Sequence, residues 1–275
     1  MDLLFHEAAL GDFVLTFPLL RGLGGSVTVV APWDRAHLAA KVVPSVASMD
    51  IEMFEFVRLH VEGGPAHVSP AVGDLLCGAT RIFSFISSGR DHWAKNIARL
   101  APQAERYFVD PRPDTGWPGH ITAWHRAQLA DQGVELGETH PPAGGDAAGP
   151  VLVHPGSGGL AKCWPVERYE ALISALVDRG TPVRPILGEV ELSRWPAERL
   201  GRWRERWDVA VCRSAVELLP VLRGASRYIG NDAGPTHLAA QLGLPTLVLF
   251  GPTSPQRWAP VGPQVTVLAP PDGPG

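Results

Sequence analysis

Cysteine is scarce in this chain of 275 residues: Cys77, Cys163 and Cys212 are odd in number and far apart. They form no C-x-x-C pair, which argues against both a zinc knuckle and a disulfide framework. Long apolar runs are missing as well. No stretch reaches the ~18 consecutive apolar residues of a membrane span. Met1-Asp2 is acidic where a secretory leader is basic, so a reducing cytosol is the expected compartment. Basic charge is not in excess either. With 24 Lys and Arg against 28 Asp and Glu the net charge is −4, which is not the profile of a general nucleic-acid binder. No nucleic-acid partner is expected. His6-Glu7 lacks the second histidine of H-E-x-x-H, and the other histidines show no ligand spacing, so no metal site is read. Lysine is rare too: only Lys41, Lys95 and Lys162 stand among the 24 basic residues, which makes each of them more informative than usual.

What remains is ample for a folded core, since 45% of residues are hydrophobic and 30 Gly and 27 Pro supply turns. Short β-branched runs alternate with amphipathic stretches, the pattern of parallel α/β units. In the first half, residues 3–5, 27–30, 52–56, 81–85 and 106–109 read as strands. Residues 12–23 read as helical with a restart at Pro18, and 121–132 as a helix stopped by Gly133. Residues 138–150 have no hydrophobic period and read as a linker. The second half restarts at 151–154. A helix opens at Trp164-Pro165 and stops before Gly180. Strands are expected at 183–187, 227–229 and 246–250, with helices at 215–223 and 235–242. The expected organisation is an N-terminal domain over 1–140, a linker over 141–150 and a C-terminal domain over 151–275.

Four segments carry chemistry-bearing residues: 9–20 (A-L-G-D-F-V-L-T-F-P-L-L), 154–165 (H-P-G-S-G-G-L-A-K-C-W-P), 187–191 (L-G-E-V-E) and 230–240 (G-N-D-A-G-P-T-H-L-A-A). In the last of these a strand ends, a glycine turn follows and Pro235 opens a helix. Free backbone N–H groups and the positive end of a helix dipole at a sheet's carboxyl edge suit a diphosphate, although Asp232 could equally cap that helix. His237 faces the same first turn. In 154–165 a glycine-rich loop holding Ser157 follows a strand, with Lys162 just ahead of a helix, so amides and an ammonium can meet phosphate oxygens together. The loop is no ATPase loop, because Ala161 and Cys163 break G-x-x-x-x-G-K-[ST]. Pro155 breaks G-x-S-x-G, so Ser157 is not read as a nucleophile. Glu189 and Glu191 follow a strand, where a carboxylate can accept both hydroxyls of a ribose. Asp12 lies at a helix N-terminus, where a carboxylate is either a cap or a base within reach of a ligand.

Taken together and in this order, the four segments resemble glycosyltransferase family 9, which contains the bacterial heptosyltransferases of the lipopolysaccharide inner core. The resemblance covers most of the chain, is strongest over 151–260 and thinnest over 34–99. It implies an α/β chain of GT-B fold, two Rossmann-like domains facing across a cleft, with the acceptor on the N-terminal one and the nucleotide-sugar donor on the C-terminal one. It implies an inverting transfer of a sugar, a heptose by family membership, from an ADP-sugar to a hydroxyl of a lipopolysaccharide core or other glycan. No further cofactor is implied. In that reading Asp12 is the general base, while Lys162 and the backbone of Asp232, Ala233 and Gly234 with Thr236 and His237 stabilise the departing diphosphate. Ser157 joins the donor site, and the family pattern selects Glu191 over Glu189 for the ribose. The two domains would close over the donor, and a glycolipid acceptor would draw the protein to the inner face of the cytoplasmic membrane. Three departures stand out: the family's basic residue ahead of the G-D loop is absent in Phe5-His6-Glu7, its D-T-G is Asp232-Ala233-Gly234 with Thr236 as a nearby hydroxyl, and the acceptor half is short. A nucleotide-sugar epimerase of the same fold, or a non-catalytic nucleotide-binding protein, would use the same diphosphate site.

Overall fold

A computed structural model describes residues 1–270 of the chain, which divides into two compact units, Met1–Thr139 and His140–Gly275. Each is an open, wholly parallel sheet with helices between its strands.

The first unit runs β1 (Asp2–Phe5), α1 (Leu10–Val14), α2 (Phe17–Leu23), β2 (Val27–Ala31), α3 (Trp33–Val42), β3 (Val46–Asp50), α4 (Phe54–Arg58), α5 (Pro70–Cys77), β4 (Arg81–Ser84), α6 (His92–Leu100), β5 (Glu105–Phe108) and α7 (Ile121–Asp131). Its sheet order is β3-β2-β1-β4-β5. Pro18 stands in the first turn of α2, where its missing N–H costs nothing, so it ends α1 and restarts the chain as expected. One core lies where Phe5 meets Phe56 and Trp93 edge-on, with Leu3, Ile82 and Ile97 packed around them. Fully burying side chains of this size contributes about 1.5–3 kcal/mol each.

Residues 52–56 correct the sequence reading. The third strand of this unit is β3, over Val46–Asp50, and the expected strand falls mostly on α4. Phe56 and, three residues on, Leu59 turn into the core at 1% exposure each, whereas Phe54 stays 70% and Val57 54% exposed. The apolar residues here follow the helical period, with half of them left on the outside.

The second unit runs β6 (Val151–His154), a 3₁₀ turn (Leu160–Lys162), α8 (Val166–Asp178), β7 (Val183–Leu187), α9 (Glu189–Arg194), α10 (Ala197–Arg206), β8 (Ala210–Val211), α11 (Ala215–Arg223), β9 (Arg227–Asn231), α12 (Gly234–Gln241), β10 (Thr246–Leu249), α13 (Pro255–Trp258) and β11 (Val265–Leu268). Its sheet order is β11-β10-β9-β6-β7-β8. In α8, Tyr169 and Ile173, one turn apart, bury against Val151, Val153 and Trp203, and Gly180 stops the chain in the left-handed region at φ 76°. Residues 138–150 contain no helix or strand. From His140 on they are held on this unit, by the Asp146 N–H on the Ala225 carbonyl (2.8 Å) and by the Pro150 carbonyl, which accepts from Ser226 N–H (3.0 Å).

This strand order decides where a ligand can go. β6 continues to β7 on one side of the sheet, while its other neighbour, β9, continues to β10 on the opposite side. The connections leaving β6 and β9 therefore diverge and open a crevice at their carboxyl ends, the usual ligand position in open parallel sheets. β1 and β4 stand in the same relation in the first unit. Among the described residues, no helix is long and apolar enough to cross a membrane.

Candidate functional site

The crevice of the second unit is framed by Asn231, the last residue of β9 and wholly buried. Its amide donates to the carbonyls of Pro155 (2.7 Å) and Gly156 (3.3 Å). Its carbonyl oxygen accepts from Trp164 N–H (3.0 Å) and Tyr169 O–H (2.9 Å). One side chain thus fixes both ends of the glycine-rich loop that follows β6. Arg194 braces the same loop by donating to the Gly158 carbonyl at 3.0 Å.

Asp232 comes next, at 3% exposure, and gathers three side chains from separate elements. Lys162 Nζ lies 2.7 Å and Thr253 Oγ1 2.8 Å from its Oδ2, and His237 Nε2 lies 3.3 Å from its Oδ1. Burial alone would raise this carboxyl, but the hydrogen bonds of His237 and Lys162, the His237 charge and the Thr253 hydroxyl outweigh it and hold the pKa at about 2. Asp232 is therefore an anion that orients donors. It does not cap α12, whose N-cap is Ala233 and carries no side-chain bond. Lys162 stays about one-third exposed, and the first turn of α12 opens at Gly234-Pro235. Thr236 and Ser157 point inward. Thr236 donates to the Asn231 carbonyl, and Ser157 donates to the Asp232 carbonyl at 3.0 Å, so both hydroxyls tie the frame together.

Glu191 lies under the glycine-rich loop at 1% exposure. Its Oε2 accepts from Gly188 N–H at 2.7 Å and lies 3.4 Å from His154 Nε2, while its Oε1 is buried without a hydrogen-bond partner. Burial pushes this carboxyl up; the bond and charge of His154 and the Gly188 N–H push it down and prevail. Gly156 passes so close that a Cβ there would stand 1.5 Å from Oε1, which explains glycine at this position. Glu189, by contrast, is exposed.

In the first unit Asp12 stands in the first turn of α1, half-exposed. The N-cap of that helix is Ala9, again without a side-chain bond, so Asp12 is not a cap. Beside it His6, 1% exposed and packed against Phe13 and Phe85, accepts from Ala8 N–H at 3.2 Å. Burial above all, then His125 and Arg35, lowers its pKa to about 3, which leaves it a neutral ring. The cation at this loop comes from a different element. Arg35 of α3 donates to the Ala8 carbonyl and, at 3.4 Å, to that of Glu7.

Asn231, Thr253, His154, Arg194 and Arg35 were not picked out from sequence as site residues. Thr253 had one available signal, a hydroxyl at the carboxyl end of the strand next to β9. Among the described residues, no group of three or more His, Cys, Asp or Glu is placed to hold a metal ion.

Lipopolysaccharide heptosyltransferase 1 of Pseudomonas aeruginosa is 37% identical over 114 residues, 41% of this chain and 32% of that protein. Lipopolysaccharide heptosyltransferase 1 of Campylobacter coli is 29% identical over 112 residues, 39% of this chain and 33% of that one. The sequence matches thus span about a third of the length of these relatives. The fold extends further. Escherichia coli heptosyltransferase WaaC with ADP superposes with a TM-score of 0.69 at 19% identity, over 98% of this chain and 93% of that one. Escherichia coli ADP-heptose heptosyltransferase II does so with 0.67 at 18%, over 100% and 92%. The fold is accordingly GT-B, built of two Rossmann-like units. Residues 95–273 match glycosyltransferase family 9 (heptosyltransferase), and with well over half of its length inside that match the chain belongs to this family.

Proposed function

We propose that this protein is an inverting glycosyltransferase that moves a sugar, a heptose, from an ADP-sugar to a hydroxyl of a lipopolysaccharide core or other glycan. The observation that carries the reading is the cluster around Asp232. A buried carboxylate holds Lys162, His237 and Thr253 at the carboxyl end of β9, beside the first turn of α12. Donors fixed in advance beside a helix N-terminus stabilise a diphosphate, whose charge grows as the glycosidic bond breaks. Lys162, partly exposed, and the N–H groups at Ala233 and Gly234 take the phosphate oxygens in this reading. His237, Thr253, Ser157 and Thr236 keep that array in place. The WaaC structure that shares this fold was solved with ADP, which supports adenine as the base.

The first unit would hold the acceptor, and Asp12 would take the proton of its attacking hydroxyl. The unbonded carboxylate at the carboxyl edge of β1 supports that role. A glycolipid acceptor would bring the protein to the inner face of the cytoplasmic membrane as a peripheral partner. Incubation with ADP-heptose and truncated core acceptors tests the whole reading, because transfer, epimerisation and binding without turnover give different products.

The donor half is testable alone. Lys162→Ala should weaken ADP binding by about 1.5–3 kcal/mol, the contribution of a charge-assisted bond to phosphate. It also leaves Asp232 without its ammonium, so that a bare carboxylate faces the incoming anion. Adenosine, which has no phosphate, should bind the variant and the parent alike in calorimetry. A parallel loss of adenosine binding would make Lys162 a structural residue.

The ribose belongs to Glu191 in this reading. Its Oε1 lacks a donor, which a ribose hydroxyl would supply once the loop at Gly156 lifts from it. ADP should then bind more tightly than 2′-deoxy-ADP by roughly 1–3 kcal/mol. Glu191→Ala should erase most of that gap and Glu189→Ala should leave it. Equal binding of both nucleotides to the parent protein would remove Glu191 from the donor site.

A further inference from the structure

Trp33 is a large aromatic left in solvent at the edge of the first unit. Its side chain is 54% exposed at the first position of α3, immediately after β2. One ring face is covered by His37, stacked at 4.4 Å with 27° between the planes. That contact lies within one turn of the helix and fixes the indole's orientation, so its exposed surface has a set direction. Two residues on, Arg35 bonds the Glu7 and Ala8 carbonyls of the loop that leads into Asp12, and α1 and α3 pack together. The start of α3 is thereby tied to the segment that carries Asp12. Trp33 and Asp12 consequently lie on one rim, the carboxyl edge of neighbouring strands β1 and β2.

Charge along that rim is acidic. The segments leaving β1, β2 and β3 carry Glu7, Asp12, Asp34 and Glu52. Against them stand the His37 ring, stacked on Trp33, and Arg35, whose guanidinium is already engaged by two carbonyls and by Asp34 at 3.4 Å. His6 adds no charge, because it is held neutral. A carboxylated sugar would meet repulsion here, whereas an uncharged pyranose presents axial C–H groups that pack well on an indole face.

We infer that Trp33 is a specificity-determining platform on which a neutral pyranose ring of the acceptor stacks, within a rim that disfavours acidic sugars. The inference rests on reading the first unit as the acceptor side. Recognition of this kind is apolar and geometric, so it would select ring shape and the absence of charge in preference to one hydroxyl pattern.

The test uses the full chain labelled with 5-fluorotryptophan, with the resonance of Trp33 assigned by its loss in Trp33→Phe. Maltose, a neutral disaccharide, should shift that resonance and leave those of the buried tryptophans in place. Digalacturonate, of similar size but acidic, should not shift it. If maltose leaves the signal unmoved up to roughly 100 mM, a negligible affinity, or if digalacturonate shifts it as far, the platform is overturned. ADP titrated into the same sample separates the two claims. Protein that binds ADP while its Trp33 stays silent to maltose keeps the donor reading and loses this one; protein that binds no ADP loses the donor reading whatever Trp33 does. With any acceptor found to be turned over, Trp33→Ala should raise its KM roughly 5- to 10-fold, the value of one aromatic stack. The kcat and the donor KM should hold, and Trp33→Phe should restore the acceptor KM.

Discussion

Asp12→Asn should lower kcat by about 10²–10⁴ while leaving ADP affinity nearly unchanged. The substitution keeps size and polarity and removes only the capacity to take a proton. Two features make it a clean experiment. Asp12 bonds no backbone N–H of α1, so no cap is lost with the carboxylate. What remains is its favourable position near the helix N-terminus, ~0.3–1 kcal/mol at an exposed site, which is too little to unfold the unit. Melting temperature and ADP binding should therefore match the parent within error while turnover collapses. Full turnover in the Asn variant would leave Asp12 with its dipole contribution alone and move the search for a base to the other carboxylates of that rim. Glu7 would be the first to try.

The parts of this protein that could be read in advance are those set by local chemistry. Pro18, Gly133 and Gly180 punctuate helices because of what their own backbones can do. The parallel strands β6 and β10, V-L-V-H and T-L-V-L, show as largely apolar runs because both of their faces are covered. Asp12, Lys162, Glu191 and His237 stand out in the sequence by residue type and by the glycine turns near them, and their roles belong to the proposal. What escaped depends on partners distant in sequence. Asn231 reads as one more polar residue in a turn until β6 and β9 pair and bring Pro155 and Gly156 beneath it. Thr253 becomes a ligand of Asp232 only once β10 lies beside β9. Asp232 itself, read as a choice between cap and phosphate-site residue, proves to be an acceptor that gathers Lys162, His237 and Thr253. Residues 52–56 misled for a related reason: alternation and helical period are hard to separate over five residues, and tertiary burial of Phe56 decided between them.

Asn231→Ala should destabilise the C-terminal unit by about 3–5 kcal/mol, a large effect for a residue expected to touch no substrate. The side chain satisfies the Tyr169 hydroxyl, the Trp164 N–H and the Pro155 carbonyl at once, and alanine can satisfy none of them. Each buried group left unpaired costs about 1–3 kcal/mol, and partial relaxation of the loop recovers some of the sum. At roughly 2–4 °C per kcal/mol for a protein of this size, the melting transition of that unit should fall by about 6–20 °C. Asn231→Asp separates hydrogen bonding from volume. Aspartate keeps the oxygen that accepts from Trp164 and Tyr169 but turns a second carboxylate oxygen toward the Pro155 carbonyl, where the amide had donated at 2.7 Å. That second oxygen, buried against a carbonyl and without a donor of its own, should raise the pKa of the group above the ordinary ~3.9. The sign of the pH dependence follows. The penalty is full at neutral pH, shrinks as pH falls through the raised pKa, and vanishes below the unfolded value, because the protonated acid can donate where the amide did. Asn231→Asp should thus lose its deficit relative to the parent as the buffer is acidified, while Asn231→Ala keeps its own. A loss below about 2 °C in the alanine variant would mean that the glycine-rich loop is held by Arg194 and Ser157 alone, and the frame beneath the Asp232 cluster would have to be redrawn around them.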